Sequence, residues 1–280
     1  MFLQNTTRSR AERPRRLPSV LERRQRLLAM CLALVAGYVD AYGLSAFGTY
    51  VSFMSGNTTQ VGSMTGHGRL LEAVPPALAI LFFVCGSCAG TYLMHSRLRH
   101  SRRLLFGVVA TLLAAAAAVS RIGPAEVNAG IATISFSMGI MNTTLPRIGA
   151  ESVSLTFMTG DLNRIGSHLA LAFKGVPLPD AQGPWDTQLH RAGLLASLWG
   201  SFLIGALISA AMISHLGVWV LVLPFLILVA LALFSASPPS QSVGEQHLSV
   251  AEGAERLTNL LRTQATNSSN LENNSLRTGD

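Results

Sequence analysis

Six apolar runs dominate this chain, at 27–47, 74–94, 104–120, 126–144, 192–214 and 216–235. Each is close to the ~20 residues a helix needs to cross about 30 Å of hydrocarbon. Inside a bilayer no water is available to the backbone, so each segment must pair its own N–H and C=O groups, which a helix does. The expected fold class is all-α and integral to the membrane, with about six transmembrane helices. Composition agrees. Only 12% of residues are charged and 49% are hydrophobic, whereas a soluble domain is about a quarter charged. The lipid bilayer is therefore the first partner.

The net charge of +7 is placed beside the apolar runs, in 8–26 and in Arg97, Arg99, Arg102 and Arg103. No aromatic-interleaved basic module accompanies these clusters, so nucleic acid is not expected as a partner. They read as topology signals. Residues 1–26 form a basic cytoplasmic arm, and the first apolar run has no Ala-x-Ala-like cleavage site, so it reads as an uncleaved anchor. The Arg97–Arg103 loop and the loop with Arg147, Arg164, Lys174 and Arg191 then also fall inside. Both termini are expected in the cytoplasm, in a multi-pass protein of the cell inner (plasma) membrane. From 236 to 280 the chain is a Ser/Asn/Gln-rich tail that reads as disordered, with a short amphipathic stretch at 252–263.

One polar motif occurs twice. Phe53-Met54-Ser55-Gly56-Asn57 returns as Phe157-Met158-Thr159-Gly160-Asp161, and Val61-Gly62-Ser63 as Ile165-Gly166-Ser167, always 104 residues later. Upstream, Gly37-Tyr38-Val39-Asp40 is answered by Gly139-Ile140-Met141-Asn142. Downstream, Phe83-x-x-Gly86-Ser87-x-x-Gly90 is answered by Phe202-x-x-Gly205-Ala206-x-x-Ser209. The chain thus divides into repeat 1 (27–121) and repeat 2 (122–235), with three spans each. An odd number of spans inverts the second half relative to the first, the plan of many secondary transporters. The stretch 175–190, with Pro177, Pro179 and Pro184, reads as a cytoplasmic loop inserted into the second half.

The blocks at 37–43, 51–62, 138–142 and 156–161 resemble the YoaK-type family of bacterial inner-membrane proteins. The resemblance covers roughly 27–234. It implies a polytopic membrane protein without an assigned biochemical activity, and it supplies no catalytic residues.

Asp40 is the most pointed candidate, because a carboxylate in hydrocarbon costs several kcal/mol unless paired or hydrated. It reads as a proton or cation site, as an interfacial residue wetted by water on the outer side, or as a hydrogen-bond partner holding helices in register; its counterpart Asn142 is neutral. Gly56-Asn57 and Gly160-Asp161 read either as helix caps, Asn57-x-x-Gln60 approximating a capping box, or as two half-sites for a substrate or ion. Asp161 would suit a cation or proton there and repel an anion. Gly86-x-x-x-Gly90 and Gly205-x-x-x-Ser209 are small-xxx-small patterns with a packing role. Cys85-x-x-Cys88 reads as helix packing, the histidines near helix ends as interfacial, and the methionines around the motif as flexible packing. Neither a catalytic arrangement, a metal cluster nor a cofactor is expected. The leading expectation is a carrier of a small solute or ion, with Asp40, Asn57, Asn142 and Asp161 around its site. A non-transporting regulatory or assembly protein is the alternative, and the sequence is compatible with an oligomer.

Overall fold

The computed structural model describes residues 20–96, 101–119, 127–144, 147–148, 151–152, 158–179, 181 and 183–234. The tail at 236–280 and most of the basic arm lie outside them. The helices are α1 (Val20–Phe47), α2 (Met54–Gly66), α3 (Val74–His95), α4 (Ser101–Val119), α5 (Val127–Asn142), α6 (Met158–Phe173), α7 (Gln188–Leu216) and α8 (Val222–Phe234). A two-residue antiparallel ladder joins β1 (Arg147–Ile148) to β2 (Glu151–Ser152). The fold is otherwise helical among the described residues.

Among the described residues, four helical stretches are long and apolar enough to cross a membrane: Arg23–Phe47, Val74–His95, Ser101–Ala118 and Gln188–Phe234. The last has 47 residues. A straight helix of that length would run about 70 Å, more than twice the hydrocarbon thickness. It is broken instead. α7 ends at Gly217, which adopts φ +54, and a 3-10 turn over Gly217–Leu221 leads into α8. A side chain at that φ would be strained, so glycine is what permits the turn. α5 has only 16 described residues. α1 begins at Val20, seven residues before the first apolar run, because Leu21-Glu22-Arg23-Arg24-Gln25-Arg26 are strong helix formers that hydropathy alone ignores.

The packing crosses the midpoint of the chain. The two most extensive helix contacts are α1 with α7 and α3 with α5; α4 packs on α8 and α5, α2 on α3, and α6 on α7. Exchanging α1–α4 for α5–α8 in order turns each of these pairs into a pair that is also in contact, α4–α8 into itself. α1 is the most enclosed span, with Leu32, Val35, Tyr38 and Val39 fully buried. The outer faces carry Leu81, Leu207, Leu226 and Phe234, all more than half exposed. Apolar side chains outside and polar ones inside suit a lipid surround.

Glycines set the closest approaches. A Cβ on Gly37 would collide with the Phe202 carbonyl oxygen, and one on Gly205 with that of Leu34. The same happens between Gly86 and Phe136, and between Gly139 and Phe83. In all four cases the carbonyl lies three residues before the partner helix's glycine. The two helix pairs therefore use one reciprocal device, in which bare Cα atoms meet backbone oxygens. Gly90 is pressed against Thr143 and Ile140, while Ser209 is fully buried. Gly37 and Gly139 join the residues picked out by the small-xxx-small patterns.

Candidate functional site

The first motif is built by a chain reversal. α1 stops at Phe47, Gly48 turns the backbone at φ +67, and Thr49–Ser52 folds back over Gly43. Asp40 holds this segment. Its Oδ1 accepts the Val51 amide at 2.9 Å and the Ser52 amide at 2.8 Å, and the residue is 4% exposed. The Asp40 carboxylate thus has two backbone donors, both in the segment that follows its own helix. Hydrogen bonds to a charged group are worth about 1.5–3 kcal/mol each. Asp40→Ala is expected to lower stability by about that amount or more, whereas Asp40→Asn keeps Oδ1 and should cost far less. Thermal unfolding with amide exchange at Val51 and Ser52 checks this; equal losses in the two variants would contradict it.

Asn57 is not the cap that its neighbours suggest. α2 starts at Met54 with Phe53 in the N-cap position and no side-chain cap. Asn57 lies in the first turn, fully buried, and its Nδ2 donates to the Tyr50 carbonyl at 2.7 Å. Its Oδ1 is buried without a partner, as is Gln60 Oε1, so the capping box does not form. The aromatic pair explains why. Tyr50 and Phe53 pack edge to face, with ring centroids 5.2 Å apart, and a Cβ on Gly56 would strike the Phe53 ring. Glycine at 56 thus admits the ring that closes the start of the helix.

The second motif also opens a short helix. α6 starts at Met158, so Asp161 also lies in a first turn, where a negative charge suits the helix dipole. It is 3% exposed, and its Oδ2 is buried without a partner. Burial pushes this carboxyl up to about 6. Gly160 is half-buried beside it, and Asn142 is half-buried at the end of α5. The structure brings Asp40 and Asn57 together on the Tyr50–Ser52 segment. It shows no extended packing between α2 and α6 that would join the two motifs, among the described residues.

Sequence reading missed a polar cluster at the start of α7. Arg191 donates through Nε and Nη2 to the two carboxylate oxygens of Asp186, at 2.9 and 2.8 Å, and both side chains are buried. Thr187 caps α7 by accepting the His190 amide. Gln188 donates to the Val176 carbonyl and meets the His168 ring, and Arg26 of α1 reaches the His190 ring at 2.7 Å. Its signal was Asp186-Thr187, an acidic residue and a cap just before a helix, inside what reads as an inserted loop. Those two histidines are accordingly internal contacts. Cys85 and Cys88 are free thiols on the exposed side of α3. Among the described residues, no three His, Cys, Asp or Glu side chains are placed to hold a metal ion.

Long apolar helices with lipid-facing leucines, joined through glycines and buried polar residues, define an integral membrane protein of the α-helical class. The chain belongs to the family described as "Protein of unknown function (DUF1275)", which matches residues 28–234. It is similar to the UPF0700 transmembrane protein RA0705 of Rhizobium meliloti (strain 1021), with 31% identity over 208 residues, 73% of this chain and 84% of the relative. No solved structure matches. The match spans the region that the repeated motif blocks mark as family-like, and it is a family of uncharacterised membrane proteins.

Proposed function

We propose that this protein is a carrier of a small solute or ion, with six spans arranged as two inverted three-span halves in the cell inner membrane. The observation that carries this reading is the equivalence of Asn57 and Asp161. They stand 104 residues apart, in the first turn of two short helices, and each keeps a buried oxygen without a partner. A buried polar atom left unpaired costs about 1–3 kcal/mol, and its occurrence at matched positions suits a site that a solute completes. The exchange pattern of helix contacts and the reciprocal glycines support the internal duplication. The Arg distribution supports both termini in the cytoplasm, with the α2 motif outside and the α6 motif inside. On this reading Asp40 positions the segment that Asn57 grips, and it is not itself the ion ligand. No reaction is assigned to the chain.

Two measurements on one preparation test this. Cysteines at Thr59 and Asn163, with Cys31, Cys85 and Cys88 replaced, are expected to label with an impermeant maleimide from opposite sides of oriented vesicles. Labelling from the same side overturns the inversion. In proteoliposomes screened with alkali cations, ammonium, small amino acids and organic acids, the native chain is expected to dissipate at least one gradient about tenfold faster than Asn57→Ala with Asp161→Asn. Equal rates would remove the site.

A further inference from the structure

We infer that the start of α2 binds a monovalent cation, with the side-chain oxygens of Asn57 and Gln60 as ligands and the Tyr50 and Phe53 rings as its wall. This deepens the carrier reading and rests on its assignment of Asn57 to the solute site. The orientation of the Asn57 amide is fixed: Nδ2 is committed to the Tyr50 carbonyl at 2.7 Å, so the atom left buried and unpartnered is the acceptor Oδ1. Gln60 follows at i+3, on the same face of the helix, and its buried, unpartnered atom is also a carbonyl oxygen. Two desolvated acceptors on one face call for a donor or a cation and repel an anion.

A helix start ordinarily favours the opposite charge, because its free amides point outward. Here that end is partly covered. The Met54 amide donates to the Ser52 carbonyl. The Phe53 and Tyr50 rings cover the turn at Gly56. Those two rings lie beside the first turn that carries Asn57, and a ring face attracts cations. Asp40 adds a carboxylate behind the same segment, through the Val51 and Ser52 amides. The direct ligands are neutral. A divalent ion would require a shell of six or more oxygens, usually with carboxylates among them, so a single positive charge fits better. The second half does not repeat this face: at the same offset, Asn57 and Gln60 become Asp161 and Arg164.

The test uses purified full-length protein and its thermal midpoint in chloride salts at constant ionic strength. The salts are those of ammonium, methylammonium, potassium and sodium, against N-methylglucamine. At least one small cation is expected to raise the midpoint saturably, with binding about tenfold or more weaker in Asn57→Ala and in Gln60→Leu. Thr59→Ala, on the exposed side of α2, should keep the native response. Because Asn57→Ala also removes the bond to the Tyr50 carbonyl, Asn57→Asp is the second probe: a charge of the same shape is expected to tighten cation binding about tenfold. A response to ammonium and methylammonium alone identifies an N–H donor group, and a response to potassium or sodium an alkali ion; either supports the site. No saturable shift, or a shift retained in both Asn57→Ala and Gln60→Leu, overturns it. Flux that depends on Asn57 but ignores cations would overturn the cation assignment and leave the carrier reading standing. Saturable cation binding without flux would do the reverse.

Discussion

Leucine at Gly205 or Gly86 is expected to leave the protein unable to form its native bundle. A Cβ on Gly205 would lie 2.9 Å from the Leu34 carbonyl carbon and 3.0 Å from the Tyr38 nitrogen, besides colliding with the carbonyl oxygen. On Gly86 the same distances, 2.9 and 3.0 Å, are to the Phe136 carbonyl carbon and Cα. These obstacles are backbone, so no rotamer change relieves them and the helices must separate. Extra methylenes in a packed core cost about 1–3 kcal/mol where side chains can adjust; here the loss should exceed that range. Alanine at either position is expected to lower the thermal midpoint markedly, and leucine to yield aggregate on size exclusion. Gly200 lies on the same helix as Gly205, with nothing within 4 Å of its added Cβ. Gly200→Ala should be neutral or slightly stabilising, since alanine favours a helix over glycine by about 1 kcal/mol. A Gly205→Leu protein that melts like the native one would refute the close approach of α1 and α7.

Removing Asp186 is the second change with a large expected effect. Arg191 lies 5% exposed at the start of α7, and Asp186 accepts from it twice. Taking away one partner of a buried ion pair typically costs 3–5 kcal/mol, roughly, because the remaining charge stays desolvated. Asp186→Ala is therefore expected to destabilise strongly. Asp186→Leu with Arg191→Met should recover most of the loss, as no uncompensated charge remains. Thermal midpoints of the two proteins decide it: if the double variant is no better than the single one, the pair is not a self-contained unit. The contact matters because it anchors the 183–187 segment at the end of a long span, where α6 also packs on α7.

The four long apolar stretches were legible in the sequence because their signal is length and apolarity. The runs at 74–94 and 104–120 lie within a few residues of α3 and α4. The short helices were not, although the motif that forms them was conspicuous. Ser55-Gly56-Asn57-Thr58-Thr59 has the composition of a turn, and α2 is helical through packing on α3 rather than by propensity. That is also why Asn57 read as a cap: the helix begins three residues earlier, under an aromatic pair that no pattern rule anticipates. Gly86 and Gly205 declared themselves through small-xxx-small spacing. Gly37 and Gly139 did not, since their role exists only opposite a partner helix. Asp40 was visible as an anomaly, but its two amide donors come from a reversal that Gly48 makes, eight positions on.

The crossed pairing of the helices bears on how such a chain is made. α1 and α3 leave the ribosome first, yet they have no extended packing with each other; each takes its closest neighbour, α7 or α5, from the half translated later. The glycine faces of the first half must therefore wait in lipid until their complements are inserted. A chain truncated after α4 would keep none of the α1–α7 and α3–α5 glycine contacts, leaving those faces without their complements.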